Sequence, residues 1–297
     1  MMERDNRNVY SFSSSFVKLA VSMLIFGTIG IFRRQIPASS GYLAFSRGLL
    51  GALILLLYLK MRRKSSRRAI PGKTVALLLL SGAAIGINWI LLFEAYRYTT
   101  IAVATLCYYM QPTIVILTSP LFFRERLIGR KLVCVALSVL GMALLSGVIG
   151  GTGGGAGTDP RGILYGLGAA ALYASVIIMN KKLPPLDASR KTMIQLFAAA
   201  MVMIPYLLIT RNTGLEKMTA AGWLLLLVVG IIHTGIAYVL YFGSMDLPAQ
   251  TVAACSYIDP VSALFFSWIL LHESLSGPGI LGAILILGSA FISERST

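Results

Sequence analysis

The sequence predicts an all-α integral membrane protein with ten transmembrane helices, arranged as two inverted five-helix repeats. Three observations carry that expectation. Of 297 residues, 57% are hydrophobic and 12% charged, with a mean hydropathy of +0.79. The charged share is about half the ~25% of an average soluble domain, too little to cover a water-soluble globule. The apolar residues fall in runs of about 20, the length of a helix that crosses a bilayer. A short motif also recurs 148 positions later in the chain. The same composition excludes disorder, and the runs are too long for the alternating strands of a membrane barrel.

Ten stretches qualify as spans: roughly 14–34, 41–60, 74–96, 100–122, 130–149, 161–181, 191–210, 220–243, 249–271 and 278–294. The first follows a short charged stretch and reads as an uncleaved first helix, because further spans follow at once. Ile36-Pro37-Ala38-Ser39-Ser40-Gly41 closes it, Met61 to Arg68 closes the second, and Leu183-Pro184-Pro185 closes the sixth. Residues 1–149 then form the first repeat, 150–160 a Gly-rich linker, and 161–297 the second repeat.

The net charge of +15 sits between the apolar runs, so it reads as topology and not as a nucleic-acid footprint. With the N-terminus inside, 19 Lys and Arg fall on the inner side. Six fall outside: Arg33, Arg34, Arg97, Arg161, Arg211 and Lys217. That bias predicts a multi-pass plasma-membrane protein with both termini cytoplasmic. Cys107, Cys134 and Cys255 all lie in apolar runs and suggest neither a disulfide framework nor a metal site.

The repeat is the most informative signal. Cys107-Tyr108-Tyr109-Met110-Gln111-Pro112 matches Cys255-Ser256-Tyr257-Ile258-Asp259-Pro260, and Glu125 and Leu127 match Glu273 and Leu275 at the same offset. The offset also aligns Arg33-Arg34 with Lys181-Lys182. Five spans per half is an odd number, so the second half enters the membrane upside down. Inverted repeats characterise secondary transporters, whose binding site lies near the midplane between the halves.

Tyr257-Ile258-Asp259-Pro260-Val261, Trp268 to Glu273, Gly282 and Gly288 resemble the EamA type of the drug/metabolite transporter superfamily. The first half repeats the pattern as Tyr109-Met110-Gln111-Pro112, Phe122 to Leu127 and Gly141. Arg47 resembles the arginine of that family's second helix, and Thr234 with Tyr238 its eighth-helix stretch. Two positions depart from the pattern: Gln111 stands where the second half has Asp259, and His233 where the family has a small residue. The resemblance implies transport of amino acids, amines, sugar derivatives or drugs through a central cavity lined by the third, fourth, sixth, eighth and ninth helices.

Ionisable groups inside a span are costly, which makes them functional candidates. At ~1.5 Å rise per residue, Asp259 and His233 reach the midplane. Asp259 suits a proton site or a counter-ion for a cation, or else bridges backbone freed by Pro260. His233 suits proton coupling or substrate contact, or else a hydrogen bond within the bundle. Arg47 needs a partner. Pairing with Glu94 would make an outer gate or a zwitterion site, whereas Glu94 could instead pair with Arg97 on its own helix. Glu125 and Glu273 precede the fifth and tenth helices and suit helix N-termini. Pro112 and Pro260 suit bending points.

Asn88, Trp89, Tyr109, Gln111, Tyr238 and Tyr257 complete the expected substrate wall with His233 and Asp259. Tyr96, Tyr108, Tyr173 and Tyr241 belong to the same aromatic set. Such walls suit an amphipathic molecule or an organic cation. The expected partners are therefore a small-molecule substrate and the lipid bilayer, with no nucleic acid and the chain a monomer or weak homodimer. No cofactor, metal or enzymatic cluster is expected. The Gly150 to Gly157 loop lacks a phosphate-loop lysine, no nucleophile triad occurs, and two histidines are too few for a metal site. A channel would need a continuous polar stripe, and a lipid-active enzyme would need a polar cluster near one interface.

Overall fold

In hydrocarbon a backbone must satisfy its own N–H and C=O groups, and a helix does so within one segment. The computed structural model follows that rule. It describes residues 2–62, 69–123, 129–145, 159–184, 186–242, 244, 255, 258–273 and 275–294, and every regular element among them is helical. The Gly150 to Gly157 loop, Glu125 and Tyr257 lie outside the described residues.

The first half runs α1 (Met2–Gly27), α2 (Ile29–Gln35), α3 (Ser40–Met61), α4 (Gly72–Tyr98), α5 (Ile101–Tyr108), α6 (Gln111–Phe123) and α7 (Gly129–Leu145). The second runs α8 (Pro160–Lys181), α9 (Ala188–Thr210), a 3-10 turn (Leu215–Lys217), α10 (Ala220–Val228), a π-helical segment (Val229–Ile236), α11 (Ala237–Phe242), α12 (Ile258–Leu271) and α13 (Gly277–Glu294). Seven helical stretches are long and apolar enough to cross a membrane by length and composition. Leu132–Leu144, Ile258–Leu271 and Gly277–Ser289 are apolar but shorter. The expectation of ten full spans is thus met by seven among the described residues.

Helix starts follow local chemistry. The orphan N–H groups of a first turn need acceptors, and short polar side chains supply them. Ser39 accepts from Tyr42 N at 3.1 Å, Thr100 from Val103 N at 3.1 Å, and Thr219 from Gly222 N at 3.1 Å. Asp159 and Asp187 accept from Arg161 N and Arg190 N at 2.8 and 2.9 Å. The fourth stretch breaks at Tyr109–Met110, because Pro112 offers no N–H to continue the ladder, and α6 begins at Gln111. Pro260 likewise sits in the first turn of α12.

The packing repeats at the 148-residue offset seen in the sequence. Helix α3 shifted by 148 is residues 188–209, which is α9. Gly72 maps to Ala220 at the start of α10, and Gly129 maps to Gly277 at the start of α13. Helix α4 packs on α9 as α10 and the π segment pack on α3. Helices α5 and α6 pack on α8 as α12 packs on α1 and α2.

Counterparts also meet each other. Ser138 Oγ lies 2.6 Å from Ser289 Oγ, and a methyl group added to Gly141 would lie 3.0 Å from Ile286. Because 138 maps to 286 and 141 to 289, these are one contact seen from its two sides. Numbers rise along α7 as they fall along α13, so the two counterparts run antiparallel. Helices α3 and α9 do the same, with Gly41 against Tyr206 and Gly48 against Leu196 and Ala200.

Close seams use small residues: a methyl group on Gly86 would stand 2.8 Å from the Ala199 carbonyl oxygen. Phe93, Leu43, Leu55, Leu196 and Met203 fill the core between them. Leu53, Leu57, Leu80, Leu208, Ile209, Trp268 and Ile284 stay exposed around the outside. An apolar rim of this extent suits lipid, not water.

Candidate functional site

The breaks at Thr28 and at Tyr109–Met110, with the start of α12, leave room in the middle of the bundle. A cavity of about 160 Å³ fills it, walled by Arg47, Trp89, Tyr96, Thr105, Tyr108, Tyr109 and Gln111 from the first half. Tyr173, Tyr238, Tyr241, Asp259 and Ala263 wall it from the second, and Met23, Phe26 and Ile29 add apolar surface. The lining is mainly aromatic with two ionisable groups of opposite sign.

Asp259 accepts a hydrogen bond from the Tyr109 hydroxyl at 2.8 Å. Tyr109 stands edge-on to Tyr108, their ring centres 6.1 Å apart, and Tyr108 lies 5.5 Å from Tyr173. Across the cavity Phe26 packs on Tyr238 at 5.3 Å. Arg47, buried on α3, donates Nε to Thr234 Oγ1 at 3.2 Å. Thr234 donates onward to the Val229 carbonyl at 3.1 Å, a five-residue reach that suits the wide π turn. The guanidinium lies 4.1 Å from the centre of the Trp89 ring and 5.6 Å from that of Phe93. These are cation–π distances.

A second opening, a cleft of about 520 Å³, lies at one end of the bundle. Arg33, Arg34, Arg97 and Lys217 line it with Glu216, and Tyr96 belongs to both openings. Tyr96 is therefore the wall between them, with its hydroxyl 3.4 Å from Thr105 Oγ1. Beside the cleft, Arg34 pairs with Glu273 at 2.7 Å, joining the two halves. Asp159 N donates to the Tyr98 carbonyl, and Ser39 N to that of Thr213. The neighbourhoods of the six basic residues counted as outer thus gather at this end.

The sequence pattern of the EamA-like transporter family matches residues 14–147 and again residues 160–294. The chain belongs to the EamA-like transporter family. It is 28% identical over 253 residues to the uncharacterized transporter YxxF of Bacillus subtilis, covering 85% of this chain and 80% of that one. It is 26% identical to the protein PecM of Dickeya dadantii, covering 73% of each. It is 24% identical to a protein named biotin transporter in Escherichia coli, covering 83% and 81%. A solved crystal structure superposes with a TM-score of 0.64 at 18% identity, over 96% of this chain and 99% of that one, which shows a shared fold. The chain is a multi-pass membrane protein of a transporter family, a member of the drug/metabolite transporter superfamily.

Of the residues expected to contact substrate, Trp89, Tyr109, Gln111, Tyr238 and Asp259 line the central cavity, and Arg47 lines it with them. Asn88 and His233 do not line it. Asn88 turns away to donate to the Ala169 carbonyl at 2.5 Å. The His233 Nε2 atom lies 2.9 Å from Thr28 Oγ1, with its ring against Phe32.

Of the two pairings open to Glu94, the local one forms: Arg97 Nη1 sits 3.0 Å from its carboxylate. Glu273 serves a different helix from the one expected. It accepts from Ile101 N at 2.9 Å, capping α5, and also bonds Ser267, while Ser276 caps α13 through Gly279 N.

Sequence reasoning missed a polar knot of Ser81, Asn180 and Gln195 that ties α4, α8 and α9 at 2.8 to 3.2 Å. A glutamine inside the seventh stretch was its visible signal. Among the described residues no group of three His, Cys, Asp or Glu side chains converges as a metal site would.

Proposed function

We propose that this chain is a secondary active transporter of a small organic metabolite, an amino acid or related amphipathic compound, working by alternating access in the direction of export. One observation carries the reading. The central cavity is walled by residues of both family-matched halves and holds Arg47 and Asp259 among aromatic rings. The antiparallel pairing of α3 with α9 and of α7 with α13 supports two inverted repeats. Residues 1–149 and 161–297 then make ten passes on either side of a linker. Exchanging the conformations of the halves would open the cavity first to one side and then to the other.

The gathering of the outer bases at one end supports cytoplasmic termini. Asp259 is the candidate for proton coupling. The cavity is smaller than the ~300–1,000 Å³ of drug-sized pockets, which favours a small metabolite over a bulky drug. Membership of a transporter family, with relatives named as transporters, supports carriage over enzymatic conversion.

A second reading, an organic-cation transporter, rests on Asp259, which accepts from the Tyr109 hydroxyl in a cavity that Tyr238 also lines. It predicts that Asp259→Asn loses cation transport and keeps transport of neutral solutes.

The test is a metabolite screen by thermal shift on the purified protein, since a ligand of the native state raises its stability. Labelled counterflow of the hits into proteoliposomes follows. The proposal expects preloaded vesicles to accumulate at least one hit, with Asp259→Asn removing the response to a pH gradient. Hits that bind without counterflow would overturn it.

A further inference from the structure

Arg47 is 4% exposed, and its only side-chain hydrogen bond to a described residue is the one from Nε to Thr234. The ion pairs among the described residues are Arg34–Glu273, Arg97–Glu94 and Arg161–Asp159. Neither Arg47 nor Asp259 takes part in one, and they do not pair with each other. Asp259 has the Tyr109 hydroxyl on one carboxylate oxygen, and no described basic group pairs with it. Both side chains nevertheless line the same cavity, in the middle of a helical bundle.

A buried charge is expensive unless an opposite charge and hydrogen bonds meet it. Inside a membrane such groups persist where they meet a partner or a solute. The Trp89 face and Thr234 hold the Arg47 guanidinium in place without neutralising it. Tyr109 does the same for Asp259. Among the described residues each group is positioned by neutral partners and has no counter-ion.

We infer that the substrate is amphoteric, with Arg47 receiving its carboxylate or other anionic end and Asp259 its ammonium end. The inference rests on the transporter reading above and narrows it to one class of solute. A simple organic cation satisfies Asp259 but brings a like charge toward Arg47. A simple anion does the reverse. Repulsion from the second pole rejects both, so the site discriminates by charge pattern before shape. The rings of Tyr96, Tyr108 and Tyr238, which line the same cavity, take up the apolar body of the solute.

The test compares matched probes on the full chain in lipid nanodiscs by calorimetry. One triad is L-phenylalanine, phenethylamine and 3-phenylpropionate. The other is L-leucine, isoamylamine and 4-methylpentanoate. The expected result is that in at least one triad the amino acid binds ten times more tightly, or better, than its amine and its acid. Arg47→Gln should lower the amino acid to the level of the amine without weakening the amine. Asp259→Asn should lower it to the level of the acid, and Arg47→Lys and Asp259→Glu should keep the order.

The inference is overturned if no amino acid of the panel binds, or if the amine or the acid equals the amino acid in both triads. Folded neutral variants that weaken all three probes alike would also overturn it. Should those variants fail to fold, the wild-type triads decide alone. Counterflow separates the two claims. Two-pole binding with no counterflow contradicts transport and leaves the solute class standing. Counterflow of the amine or acid alone leaves transport standing and removes the class.

Discussion

Arg47 shows how a single side chain can be held ready without being neutralised. Its Nε bond to Thr234 is a charge-assisted contact, worth about 1.5–3 kcal/mol when buried. Thr234→Val keeps the shape and removes the acceptor. Chemical unfolding of the purified variant should show a loss in that range, and Thr234→Ser should restore most of it. A change below about 0.5 kcal/mol would mean that Trp89 alone holds the arginine.

At this scale the sequence was partly legible. Ionisable groups stand out in an apolar run, and depth along a helix follows from the rise per residue, which singles out Arg47 and Asp259 as candidates. Depth does not say which way a side chain faces. Asn88 and Trp89 are neighbours about 100° apart on one helix, so only Trp89 turns to the cavity. At His233 the π turn adds a residue and shifts the phase of the helix face. The periodicity of an ordinary helix could not reveal that.

Among the elements, the helix ends carry the testable chemistry. Glu273 was legible as an N-terminal acid, but its helix was not, because capping α5 is a contact between residues 172 positions apart. Glu273→Ala should cost about 1 kcal/mol through the lost cap, with Glu273→Gln losing less because its amide oxygen can still accept from Ile101 N. Thermal unfolding in detergent measures both.

Asp159 makes a pH-dependent prediction. Side-chain hydrogen bonds from Arg161, with the bond from its backbone N–H, hold the Asp159 carboxyl below its ordinary value. A group depressed on folding stabilises the folded state above its unfolded pKa and loses that effect as pH falls through its folded pKa. The melting temperature of Asp159→Ala should therefore lie slightly below wild type at pH 7. The gap should close once the pH falls below the ordinary carboxylate range; a gap that persists there would assign the effect to something other than ionisation.

For the whole molecule, the offset of 148 residues predicted more of the structure than any single residue did. In the structure the start of α13 lies 148 residues after that of α7, and α9 covers α3 shifted by the same number. The offset could not give the three-dimensional meeting of counterparts, which depends on small residues letting backbones approach. Ser138→Cys with Ser289→Cys, on a background lacking the native cysteines, should form a disulfide in oxidising conditions. Gly86→Val should lower the folded yield severely by forcing α4 away from α9. A gel-shift assay reads the first and size-exclusion profiles the second. Failure of the two cysteines to join would contradict the α7–α13 pairing.

The central claim is one cavity, shared by two halves, that faces each side of the membrane in turn. Ala263→Cys on the cysteine-free chain places a thiol on the cavity wall. Membrane-impermeant maleimide should modify it in right-side-out and in inside-out vesicles alike, with protection by a transported solute in both. Modification from one side only, under every solute condition, would contradict the account.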